Sequence, residues 1–174
     1  MVSPGVTWGL LAAWAVHDAE ELATMARWTR QAHERWPWFP EVSQRHATVA
    51  IGLMGGVMAG ASALGARTGG RSPVFQAALL GFGAHGVVHL AQAAVARRYT
   101  PGLVTSPLVV LPFTAWAWRR LRTAGVPVRA GESGRAGLAA FPAVAGGVHL
   151  LARCLTRPRA RASRQVPPPG GSRP

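Results

Sequence analysis

The chain has no lysine, one cysteine, one tyrosine and only six acidic residues in 174 positions. With Cys154 alone, an intrachain disulfide framework is excluded. Charged residues reach 14%, against the roughly 25% usual in soluble domains, and the apolar residues gather in blocks. The length suits one domain, and the blocks identify its class as a polytopic membrane protein. The net charge of +13 comes entirely from arginine. A nucleic-acid binder would set such charges on one face among stacking aromatics. Here the arginines lie between the apolar blocks and in the tail, where membrane proteins carry loop charge, so no nucleic-acid partner is expected. Residues 1–7 lack a positive region and no convincing cleavage site follows, so the first apolar stretch reads as retained and not as a signal peptide.

A bilayer span takes about 20 mostly apolar residues. Residues 7–26 meet that length, interrupted only by His17-Asp18-Ala19-Glu20-Glu21. A polar connection over 27–46 follows, and its Trp36-Pro37-Trp38-Phe39-Pro40 run reads as a headgroup-level anchor or as a lid. The second span, 47–65, repeats Gly52, Gly56 and Gly60, a small-residue face that admits close helix packing and suits a homodimer. The third, 74–96, holds His85 and His89. The fourth, 102–118, contains Pro107 and Pro112 and ends in Trp116 and Trp118 before Arg119. The fifth, 137–156, is the weakest, with Pro142, His149 and Arg153 inside it. The fold class is therefore all-α: a transmembrane helical bundle of four to five spans over residues 1–156, followed by a disordered Arg/Pro-rich tail over 157–174. The arginines weight the loops toward an outside N-terminus and an inside C-terminus.

Ionisable groups at membrane depth are costly and persist when paired, facing a polar cavity or binding a cation. On a helix, His17, Glu20 and Glu21 fan across one side while Asp18 points elsewhere, toward an interface or an arginine. His85 and His89, four apart, aim two imidazoles at one cation, with Gln92 one turn further along. Spans one, three and five run in the same direction. Counted from their starts at about 1.5 Å per residue, His17, Glu20, Glu21, His85, His89 and His149 fall within roughly 8 Å of depth. Imidazole with carboxylate suits a divalent metal, zinc or iron foremost and manganese less strongly. A dinuclear centre and a three-histidine zinc with a glutamate as general base both fit the set. His149 belongs to it only if the fifth span crosses. His33 and His46 read as solvated loop residues, and Cys154 receives no role.

At these residues the sequence resembles a family of small bacterial membrane proteins named for their HXXEE motif, matched by His17-Asp18-Ala19-Glu20-Glu21. His85-Gly86-Val87-Val88-His89-Leu90 and Tyr99-Thr100-Pro101-Gly102-Leu103-Val104-Thr105 are similar to it as well, over roughly residues 8–118. The family has no characterised function, so the resemblance implies a fold and a polar site, with the bacterial cell membrane as location. It implies no reaction.

The reading is a membrane-embedded, metal-dependent enzyme for a lipid-like or hydrophobic small molecule, a hydrolase or an oxygenase. His17, Glu20, Glu21, His85, His89 and His149 are its metal ligands, and Glu20 and Glu21 its catalytic carboxylates. The alternatives are a cation or proton transporter and a non-catalytic membrane subunit whose polar cluster only joins helices.

Overall fold

The computed structural model describes residues 2–127 and 132–157, the side chains of 132–137 excepted. The expected tail lies outside them from residue 158 on. Among the described residues five α-helices follow in order: α1 (Pro4–Arg35), α2 (Gln44–Arg67), α3 (Pro73–Ala96), α4 (Leu111–Thr123) and α5 (Glu132–Thr156). No strand occurs among the described residues.

The helix limits follow from local chemistry. Pro4 and Pro73 open α1 and α3, where a missing N–H costs nothing. Ser43 and Ser72 cap α2 and α3, accepting from His46 N–H at 3.2 Å and Phe75 N–H at 3.3 Å. α1 stops where Trp36 turns extended (φ −134°, ψ 92°), as expected for a residue followed by proline. Before α4, the Leu111 N–H bonds to Ser106 O and makes Ser106–Val110 a π-helical turn. Pro112 has no N–H to continue the usual ladder there.

Two boundaries differ most from those expected. Residues 27–35, read as polar connection, continue α1. Their inward positions, Thr29 and Ala32, are buried, and Thr29 Oγ accepts from the Val42 N–H at 3.1 Å, so tertiary contacts carry the helix past its arginines. The fourth segment, expected to be helical from 102, opens as a turn over 101–104, turns helical at Thr105 and becomes a regular α-helix from Leu111.

α2 packs along α1, α5 lies across α2 and α3, and the 106–123 segment lies against α1 and α3. The apolar core fills one end of the bundle: Leu10 and Trp14 of α1, Met58 of α2, Phe75, Leu79 and Phe82 of α3, and Leu121 of α4. Glycines on α3 let its neighbours in close. A Cβ on Gly83 would stand 2.7 Å from Thr114, and one on Gly86 2.8 Å from Val110. The Gly52, Gly56 and Gly60 stripe faces outward, with no atom within 4 Å of the Cβ positions.

Beside this apolar core, several ionisable groups are buried and many large apolar side chains are exposed, which is unusual for a soluble protein. His17, Asp18, Glu21, Gln76 and His89 are buried, whereas Val57, Leu64, Val87, Val95, Leu108, Leu150 and Leu155 are exposed. Three helical segments are long and apolar enough to cross a membrane: α2, α3 and residues 138–156 of α5. Buried ionisable groups together with apolar outer faces suit helices that cross a bilayer.

Candidate metal centre

α1 presents His17 and Glu21 one helical turn apart, and α3 presents His85 and His89 at the same spacing. These four side chains meet between the two helices. One ligand atom from each lies within 4.8 Å of every other. His89 Nε2 is 2.8 Å from His85 Nε2 and 3.2 Å from Glu21 Oε1. The His17 ring stands edge-on to both α3 imidazoles, with centroids 5.3 Å from His85 and 5.0 Å from His89. Metal–nitrogen bonds of about 2.0–2.1 Å put neighbouring ligand atoms roughly 3.3 Å apart. The cluster has that scale.

The packing around it is tight. Phe82 closes one side, 6.0 Å from the His17 ring, and Phe141 of α5 lies 5.1 Å from His85. Gly102, in the turn after α3, lies directly over the imidazoles at φ 80°. A Cβ there would come within 2.8 Å of both His17 Cε1 and His89 Nδ1. The position requires glycine for its left-handed backbone and for the room. His17 Nε2 is buried and has no hydrogen-bond partner. A buried polar atom in that state demands explanation, and an acceptor nitrogen aimed among two imidazoles and a carboxylate is what a cation would satisfy.

Glu20, expected among the ligands and as a catalytic carboxylate, faces the other way. Its Oε1 accepts from Tyr99 Oη–H at 2.6 Å and the Val104 N–H at 3.2 Å. Its Oε2 accepts from the Thr105 N–H at 2.8 Å and Thr105 Oγ–H at 2.6 Å. Four donors use the roughly four acceptor positions of a carboxylate, which leaves none for a metal or a substrate proton. One residue of helical rotation separates the two glutamates, and it sends them to different neighbours: Glu21 to the cluster, Glu20 to the turn.

His149 lies outside the group of clustered ligand atoms, although it lines the same cavities as Glu21 and His85. Its Nδ1 is 3.0 Å from His46 Nε2, and the two rings stack. Equal depth along parallel helices did not bring it in, because its face of α5 turns toward the start of α2. His46, read as a solvated loop residue, is buried within α2 by that contact. His33 also has partners, donating from Nδ1 to Phe39 O at 2.6 Å with Glu41 at 3.8 Å. Asp18 sits at the interface of α1, α2 and α5, lining a cavity of about 70 Å³ with Trp14, Met54 and Phe141. Cys154 is free and exposed.

Thr105 and Gly102, which the pattern of the sequence left without a role, contact the cluster and Glu20 in the structure. The signal was present: a Pro-Gly pair marks a turn that needs a positive φ, and the short polar residue after it is the kind that bonds to nearby groups.

The description "Protein of unknown function with HXXEE motif" fits residues 8–117. The chain belongs to the HXXEE family. That stretch contains all four clustered residues, Glu20 and the Tyr99–Thr105 turn, while α5 and His149 fall outside it. Neither a curated protein nor a solved structure matches the chain. The motif that names the family thus contributes two side chains to the cluster and one to the turn beside it.

Proposed function

We propose that this HXXEE protein is a membrane-embedded, metal-dependent enzyme acting on a lipid-like or hydrophobic substrate. The observation that carries this reading is the position of the cluster. Glu21, His85 and His89 line one end of a cleft of about 780 Å³, whose other lining residues include Met25, Trp28, Trp36, Phe39, Val88 and Val95. Small-molecule sites have this character, largely apolar with a few convergent polar groups, and this size. The cleft runs along α1 and α3, so in a bilayer it would admit a hydrophobic molecule from the side.

His17, His85 and His89 are the proposed metal ligands, with zinc or iron favoured by imidazole and carboxylate donors. Glu21 is either the fourth ligand or a base for the attacking water. A divalent cation there would supply Lewis acidity toward an ester or amide carbonyl, or, as iron, oxygen chemistry. Trp28 Nε1–H donates to Tyr99 O at 3.0 Å, and the Trp28 and Phe39 rings meet at 5.5 Å. Together they hold an aromatic rim at the headgroup end of the cleft. α1 and the 102–123 segment are read as crossing with α2, α3 and α5. α1 buries His17, Asp18 and Glu21 and exposes Trp8 and Val16, an arrangement suited to lipid outside and polar groups within.

The test is elemental mass spectrometry on the protein purified in detergent, beside His17→Ala and His85→Ala. Near-stoichiometric zinc, iron or manganese that both variants lose supports a centre shared by two helices, and the element selects the chemistry. A wild type that holds none of these after reconstitution overturns the reading.

A further inference from the structure

Glu20 and Thr105 form a chain of hydrogen bonds ending on a cluster histidine. Thr105 Oγ–H donates to Glu20 Oε2 at 2.6 Å, and Thr105 Oγ is also 2.7 Å from His17 Nδ1. A hydroxyl carries one proton and two lone pairs. The proton of Thr105 is committed to the carboxylate, so its oxygen can only accept from His17. His17 Nδ1 must therefore carry the hydrogen, which leaves Nε2 as the lone-pair nitrogen. That Nε2 is the buried atom without a partner.

We infer that Thr105, held by Glu20, is the positioning residue that sets the tautomer and ring orientation of His17 and so presents Nε2 to a cation. The Thr105 N–H to the same carboxylate oxygen and the Ser106 Oγ–H to Gly102 O, at 2.8 and 2.6 Å, lock the turn that carries the hydroxyl. Metal-binding histidines characteristically donate their second ring N–H to an oxygen acceptor that fixes the ring. Here the acceptor is a hydroxyl backed by a carboxylate, and it comes from a segment 88 residues away in the chain. This also assigns separate tasks to the motif's glutamates: Glu21 stands in the cluster, and Glu20 holds the residue that aims His17. The inference rests on the metal reading only for its purpose; the tautomer itself is a property of the metal-free protein.

The experiment uses the full chain in detergent, labelled with ¹⁵N-histidine and stripped of metal. Long-range ¹⁵N–¹H correlation spectra, assigned with His17→Gln, report which ring nitrogen is protonated. The expected wild-type result is Nδ1–H with an unprotonated Nε2. Thr105→Val should abolish that preference and weaken zinc binding, measured by chelator competition, by about 10–100-fold. Thr105→Ser should restore both, and Glu20→Gln should shift both toward the valine variant. An Nε2–H tautomer in the wild type overturns the inference, with no variant needed. So does a Thr105→Val protein whose tautomer is unchanged. If the tautomer follows residue 105 but zinc binds no form of the protein, the hydrogen-bond chain stands and the metal reading falls.

Discussion

Gly102→Ala is the substitution that most directly tests whether the turn and the cluster form one unit. The new methyl carbon would lie 2.8 Å from His17 Cε1 and His89 Nδ1 and 2.9 Å from His89 Cε1. Ordinary contact begins near 3.4 Å, so the rings or the turn must give by about 0.6 Å. Metal–ligand distances tolerate about 0.2 Å, so a shift of that size should lower metal affinity at least tenfold. The stability cost has two parts. A left-handed backbone costs a non-glycine residue about 1–2 kcal/mol, and forcing an extra methyl into packed surroundings adds about 1–3 kcal/mol. Gly125 separates the two: its φ is 65°, with no atom within 4 Å of its Cβ position. Gly125→Ala should therefore lose only the backbone part, about 1–2 kcal/mol, and match the wild type in metal-binding measurements. Gly102→Ala should lose about 2–5 kcal/mol in detergent unfolding followed by circular dichroism. Equal stabilities for the two variants, with equal metal content, would refute the proposed contact between turn and imidazoles.

His149→Ala should keep the metal content of the wild type, because its imidazole bonds to His46 and not to the cluster. It should lose about 1 kcal/mol from the hydrogen bond joining α5 to α2, and metal loss on elemental analysis would return His149 to the ligand set. Tyr99 offers a pH signature that can be read alone, since it is the only tyrosine. Burial, then the hydrogen bond to Glu20 and its charge, push the phenol above its usual value near 10. The fold therefore favours the neutral phenol. Its stabilising contribution is complete below the unfolded value near 10 and is lost as pH rises through the higher folded value. A phenolate absorbance titration should show a midpoint above 10 that falls toward it in Glu20→Ala; a wild-type midpoint at or below 10 would contradict the Tyr99–Glu20 contact.

Much of this molecule follows from one-dimensional pattern, and the parts that do not have a common cause. Apolar blocks and arginine-bearing connections predict an all-helical membrane protein, because segment hydropathy and helix period are local properties. The helices over 44–67, 73–96 and 132–156 lie where the pattern puts them. His17 with Glu21, and His85 with His89, are legible as pairs because an i, i+4 spacing fixes a shared face whatever surrounds it. Which face meets which neighbour is not local. Depth along parallel helices placed Glu20 and His149 with the others, but rotation about the helix axes sent Glu20 to Thr105 and His149 to His46. The length of α1 beyond residue 26 likewise depended on Thr29 finding Val42. The sequence by itself thus determined the helical class, the apolar segments suited to a membrane and two histidine-bearing faces, since each rests on residues within a few turns of one another. Only the tertiary structure decided that His17, Glu21, His85 and His89 share one site while Glu20 supports it from behind. Those contacts join residues up to 88 positions apart, and their partners are set by how helices rotate and pack, which no spacing along the chain encodes.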